Sequence, residues 1–202
     1  MEPHKEKPTN TTKNFSPRDA GLVFLSFSFI CAAIIFALII NDVLTLQHFL
    51  SMDSPLEMIG IIVFSTIGLL LFGVILSSYI PAKYIDDTNK SYPDSSIPTL
   101  LLFMFVGALF EEMLFRGIVQ NVLYLFIESN WVAILTTTLL FIGFHIQYFK
   151  KPIMLINITI PSLVFGWIYT ETNNLAVPVL VHFLMNVGIT LLFKYNIIRL
   201  KR

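Results

Sequence analysis

Residues 97–127 read IPTLLLFMFVGALFEEMLFRGIVQNVLYLFI, an apolar stretch whose only charges are Glu111, Glu112 and Arg116. It is long enough to cross the hydrocarbon of a bilayer, which takes about 20 residues as a helix. It is also too long and continuous for a barrel strand. Five further charge-poor runs accompany it, at 20–40, 56–80, 131–149, 153–170 and 175–193. Each approaches or exceeds the ~18 residues of a spanning helix, and only helices and closed barrels satisfy their backbone in lipid. The expected fold is an all-α, polytopic membrane helix bundle of about six transmembrane helices.

Composition agrees. The 202-residue chain is 55% hydrophobic and 13% charged, with a mean hydropathy of +0.76. A soluble domain carries about 25% charged residues. A soluble enzyme, a disordered chain and a basic nucleic-acid binder are excluded, and nucleic acid is not an expected partner. Net charge is zero, 13 cations against 13 anions, but the cations are unevenly placed. Lys5, Lys7, Lys13 and Arg18 precede the first run, Lys83 and Lys90 follow the second, Lys150 and Lys151 follow the fourth, and Lys194, Arg199, Lys201 and Arg202 close the chain. The loops at 41–55, 128–130 and 171–174 hold none. The positive-inside rule puts both termini in the cytoplasm.

The first run is too long for a signal-peptide core, and no small-x-small cleavage site follows, so it reads as a retained helix. Cys31, alone in the chain, has no partner for a disulfide and reads as a packing residue. The loop Pro81–Pro98 is polar and looks mobile, dividing a tail with two N-terminal helices (1–95) from a four-helix core (96–202).

The core holds every costly residue. A charge at mid-bilayer costs about 2.5–3.5 kcal/mol on insertion scales. Glu111, Glu112 and Arg116 must therefore face the bundle interior or a water-filled cavity. Glu112 and Arg116 are four apart and can pair, the structural reading of both. Glu111 is turned about 100° away and is free for another task. Two more intervals of four follow, Phe141-Ile-Gly-Phe-His145 and His182-Phe-Leu-Met-Asn186, each expected on one helix face. A lone histidine in a span is more often a packing residue than a ligand, but here two join a carboxylate at compatible depths. His4 and His48 have no such company.

A carboxylate, two imidazoles and an amide suit hydrolysis of a peptide bond. A carboxylate shielded from water is a usable general base, and a histidine can share or orient the water. An amide and an imidazole N–H can donate to the developing oxyanion. The nucleophile would be water: G-x-S-x-G is absent, Cys31 has no histidine partner in its segment, H-E-x-x-H is absent, and no paired aspartates occur in the spans.

These motifs, Glu111-Glu112-x-x-x-Arg116, Phe141-x-x-x-His145 and His182-x-x-x-Asn186, resemble in order and in placement on three spans those of the CPBP (CAAX protease and bacteriocin-processing, Abi) family of intramembrane endopeptidases. The run Leu163-Val-Phe-Gly166 to Pro178-Val-Leu-Val-His182 is also similar to that family's lead-in to its last motif. The resemblance covers about 96–193. It implies that Glu111 activates water with His145, that His182 and Asn186 stabilise the oxyanion, and that Glu112 and Arg116 support the site. It further implies a conical cavity among the four C-terminal helices, lined in part by Arg116. Pro161 and Pro178 are expected to bend their helices. No cofactor is required on this reading; the zinc alternative would use Glu111, His145 and His182.

The expected function is an intramembrane endopeptidase cutting near the cytoplasmic face of a bacterial plasma membrane. Its partners are lipid and a peptide or lipidated peptide: a bacteriocin or signalling-peptide precursor, or a CAAX-like tail. The alternatives are a non-catalytic self-immunity or scaffold protein of the same fold, and a small proton-coupled transporter, disfavoured by the lack of a repeat. Oligomeric state and substrate are not legible.

Overall fold

A computed structural model describes residues 16–77, 79, 96–195 and 197–198. Among them are α1 (Pro17–Ile40), α2 (Pro55–Ser77), α3 (Ile97–Ile127), α4 (Asn130–Phe144), α5 (Pro152–Thr172) and α6 (Ala176–Lys194), with no β-strand. The all-α bundle expected from the apolar runs is what forms. Five of these helices are long and apolar enough to cross a membrane, and the 15-residue α4 is the shorter exception. The chain is a multi-pass membrane protein. Residues 81–95 of the polar loop lie outside the described residues.

Local chemistry sets the helix ends. Ser16 caps α1 by accepting from the Asp19 amide at 3.3 Å, and Ser96 caps α3 by accepting from Thr99 N–H at 3.4 Å. Each helix also has a proline in its first turn, where the missing N–H costs nothing. Helices α3 and α5 stop at left-handed residues, Glu128 (φ 53°) and Asn173 (φ 43°).

Two expectations need correction. The run 131–149 is not one helix: α4 ends at Phe144, His145 leaves it at φ −104°, ψ 45°, and Ile146–Tyr148 form a single 3-10 turn. The cause lies downstream, where Lys150 and Lys151 need a polar setting and Pro152 keeps Lys151 out of helical geometry (φ −129°, ψ 77°). Pro178 does not bend α6, because it sits in the first turn, where the missing N–H has no intrahelical partner. Pro161 does lie inside α5, and that helix nonetheless runs unbroken from Pro152 to Thr172.

Helix α1 lies along α3, α2 packs on α6 and α5, and the first half of α3 packs on α6. Helix α4 packs on α5 and on α3 from Met113 onward. Met58, Leu69, Phe165, Ile168, Val177 and Val181 form the buried apolar core. Large apolar side chains such as Phe29, Leu56, Phe64 and Phe126 point outward, as a lipid-facing surface requires.

Two features position the site. Within α3, Met113–Gln120 is a π-helix. In an α-helix Arg116 and Asn121, five residues apart, would diverge by about 140°. The wider π turn closes much of that gap. As a result Arg116, Gln120 and Asn121 all reach α5: Arg116 bonds Ser162, Gln120 Nε2 donates to Gly166 O and Thr170 Oγ1 at 3.0 Å each, and Asn121 Nδ2 donates to the Tyr169 hydroxyl at 2.6 Å. Gly166 permits this approach, since a Cβ there would lie 3.0 Å from both Gln120 Oε1 and Ile134 Cγ2.

The second feature joins two of the cation-free loops, 41–55 and 171–174. Ser51 N–H donates to Asn173 O at 3.1 Å, and Leu175 N–H donates to Phe49 O at 2.8 Å. Asn174 Nδ2 donates to Ser51 O at 2.7 Å, and the Tyr169 hydroxyl donates to His48 O at 2.7 Å. Phe49 and Leu175 pack beside Gly117, so these loops reach the depth of the residue after Arg116.

Candidate active site

Helix α3 delivers Glu111, Glu112 and Arg116, α6 delivers His182 and Asn186, and the end of α4 delivers His145. The neighbouring carboxylates have different surroundings, as their angular separation predicts. The Glu112 side chain is 0% exposed and that of Glu111 is 23% exposed.

Glu112 is held on two sides. Arg116 Nη1 donates to its Oε1 at 3.3 Å, and Nε lies 3.2 Å from Oε2, an attraction between charges without hydrogen-bond alignment. His182 Nδ1 lies 2.8 Å from Oε1. A carboxylate paired with a guanidinium can only accept, so the hydrogen-bond network assigns the proton of this contact to Nδ1. The Nε2 atom then points toward Glu111, whose Oε2 is 3.9 Å away. The Phe165 ring stacks on the imidazole at 4.7 Å and 19°, fixing its plane.

Arg116 does not line a cavity, contrary to expectation. It is fully buried, with Nη2 donating to Ser162 O at 2.7 Å and Ser162 Oγ at 2.9 Å, and with the rings of Phe141 and Phe165 at 5.7 and 5.5 Å from its Cζ. A cation in a bundle interior needs acceptors, and Glu112 and Ser162 supply them to Nη1 and Nη2, while Nε is held by charge alone.

His145 stands apart. Having left α4, it does not present its ring as the next step of a helical face. Its Nδ1 bonds Phe141 O at 2.8 Å, and its ring lies 4.5 Å from Phe141 and stacks on Tyr148 at 5.9 Å. It is half-buried and makes no polar contact with Glu111. Asn186, one turn from His182, is half-buried and has no hydrogen-bond partner among the described residues. The structure thus brings together Glu111, Glu112, Arg116 and His182; Asn186 lies one turn along α6 with its amide unengaged among the described residues, and His145 is held at the end of α4 by Phe141 O.

The zinc alternative asks Glu111, His145 and His182 to share an ion. Among the described residues no three His, Cys, Asp or Glu side chains are grouped to hold a metal. Glu111 and His182 approach each other at 3.9 Å, but His145 makes no polar contact with either, so the three do not form a shared donor set.

Ser162, Phe165, Gln120 and Tyr169 contribute to this centre without belonging to any motif. Polarity alone marks Ser162, Gln120 and Asn121, as hydrogen-bonding side chains inside spans must find partners.

Residues 93–188 match the family described as type II CAAX prenyl endopeptidase Rce1-like. The likeness to this family covers 96 of the 202 residues. The Rce1-like stretch runs from just before α3 into α6 and contains every residue of the three motifs, from Glu111 to Asn186. The chain is also similar to the uncharacterized protein YpbD of Bacillus subtilis, 29% identical over 120 residues, 58% of this chain and 59% of that protein. An uncharacterized 24.3 kDa protein of Escherichia coli is 32% identical over 130 residues, 62% of this chain and 58% of that protein. The chain therefore spans about three fifths of the length of these relatives. No solved structure matches it.

Proposed function

We propose that this protein is an intramembrane endopeptidase of the Rce1-like type, cleaving a peptide bond with water activated by Glu111. The observation that carries the reading is the asymmetric carboxylate pair: Glu112 is buried in an ion pair, while Glu111 is partly open beside His182 Nε2 at 3.9 Å. A water 2.8 Å from both atoms would see them at an angle of about 90°, close to the angle between its own two protons. It would donate one proton to each and aim a lone pair outward at a scissile carbonyl. Glu111 takes the proton as the water attacks, and later returns it to the leaving amine. The free amide of Asn186 is available to the oxyanion.

His145 is the fourth member of the proposed set. The resemblance allots it the partnership with Glu111, whereas the geometry favours His182 in that place; His145 then joins from the end of α4, toward the substrate. The functional division is 1–95 and 96–202, with both termini cytoplasmic and the protein in a bacterial plasma membrane. The relatives from two bacteria and the alternation of cations support this. The substrate class is a peptide precursor, of bacteriocin or signalling type, or a CAAX-like tail, delivered at the lipid surface.

The test is to express Glu111→Gln, His145→Ala, His182→Ala and Asn186→Ala in the native host and to follow small peptides by mass spectrometry. An uncleaved precursor should accumulate, most completely with Glu111→Gln. Unchanged peptides with Glu111→Gln, and a retained phenotype, would overturn the reading in favour of a non-catalytic scaffold.

A further inference from the structure

Arg116 has two ends, and only one belongs to a motif. Its Nε and Nη1 face Glu112, while its Nη2 is clasped by a single residue of α5. Ser162 offers that nitrogen both its carbonyl, at 2.7 Å, and its hydroxyl, at 2.9 Å, one acceptor for each of the two protons. The hydroxyl then donates onward to Thr138 Oγ1 of α4 at 3.3 Å. Ser162 and Arg116 are 1% and 0% exposed, so no bulk water can replace a lost acceptor.

From there a continuous chain of contacts leads to the reacting end: Ser162 to Arg116, Arg116 to Glu112, Glu112 Oε1 to His182 Nδ1, and His182 Nε2 toward Glu111. Ser162 touches neither Glu111 nor His182. Without the hydroxyl, one Nη2 proton loses its acceptor, and Thr138 Oγ1, 3.3 Å beyond the lost oxygen, is the group it would turn to. The guanidinium must turn toward Thr138 to satisfy it, and that turn draws Nε and Nη1 off Glu112. Glu112 is the acceptor that orients His182, so the imidazole loses its fixed partner.

We propose that Ser162 is a positioning residue of the site: its double clasp on Arg116 Nη2 holds the fork against Glu112 and, through Glu112, sets the orientation of the His182 ring. This deepens the reading of Glu111 and His182 as the water-holding pair and rests on it. The same clasp also ties α5 to α3, so the test must separate orientation from simple helix packing.

Two readouts do so, using the full chain in nanodiscs with Ser162→Ala and Ser162→Thr. The first needs no substrate: ¹⁵N NMR of the His182 ring, assigned by its loss in His182→Ala. The Nδ1 resonance should shift in Ser162→Ala and return toward the wild-type position in Ser162→Thr, which keeps the hydroxyl. A folded Ser162→Ala protein with an unmoved His182 resonance overturns the proposal. The second readout uses the precursor accumulated by the Glu111→Gln host. Ser162→Ala should lower kcat about tenfold with KM little changed, and Ser162→Thr should recover most of it. Equal losses in both variants, or a fall confined to thermal stability, overturn the proposal. Absence of any precursor would count against the endopeptidase reading alone, since the ring resonance still decides the role of Ser162.

Discussion

Replacing Arg116 with methionine tests the architecture of the site most directly. The substitution keeps a flexible side chain of helical propensity but removes the only cation facing Glu112. At the observed 3.2 Å, and with an effective dielectric of about 20, the lost attraction is about 5 kcal/mol. Breaking a buried pair by deleting one partner costs about 3–5 kcal/mol in practice, because the remaining charge stays buried. Glu112 is 0% exposed and keeps only His182 as a polar neighbour, so the upper part of that range is expected. Glu112→Gln alone should also be costly, since it strands the guanidinium. The double variant Arg116→Met/Glu112→Gln carries neither charge and should be more stable than the sum of its parts by about 2 kcal/mol or more. Equilibrium unfolding by SDS titration in mixed micelles, with helix content and Trp fluorescence as independent probes, gives the four values of the cycle. A loss below about 1 kcal/mol for Arg116→Met, or additivity within about 0.5 kcal/mol, would refute the view of a water-excluded ion pair.

Two more outcomes follow from the geometry. Tyr169→Phe removes a hydroxyl that both donates to His48 O and accepts from Asn121, so it should cost about 1–2 kcal/mol and, without much change elsewhere, speed amide exchange and proteolysis of residues 41–54. Single cysteines introduced at Asp42, Ser129 or Glu171 in a Cys31→Ala background should react with an impermeant maleimide on intact cells, and cysteines at Lys150 or Lys194 should react only after permeabilisation. The reverse pattern would invert the membrane orientation.

The apolar runs, the alternation of cations and the three motifs were legible because each rests on a property the sequence carries directly: hydrocarbon length, loop charge, and the cost of ionisable groups in lipid. The Glu112–Arg116 pair was legible too, from helical spacing. What escaped depends on tertiary contacts. Nothing in Met113–Gln120 signals a π turn, because the wider turn is settled by Ser162, Gly166 and Tyr169 across the interface rather than by local propensity. The helix break at His145 escaped because Gly143 alone does not end an apolar run; Lys150, Lys151 and Pro152 lie several residues downstream. The pairing of His182 with both glutamates, rather than of His145 with Glu111, depends on how far each helix extends, which hydropathy does not report.

The hydrogen bonds between the loops at 41–55 and 171–174 also set an order of events during synthesis. Ser51 and its partner Asn174 are 123 residues apart. At about 5–20 residues per second, the ribosome needs roughly 6–25 s after making the first loop to supply the second. Through roughly the second half of that interval Glu111 and Glu112 exist without His182, which lies later still in the chain. The nascent protein therefore cannot assemble the complete Glu111–His182 pair before α6 is made, and any cleavage that depends on that pair is postponed until α6 has been inserted.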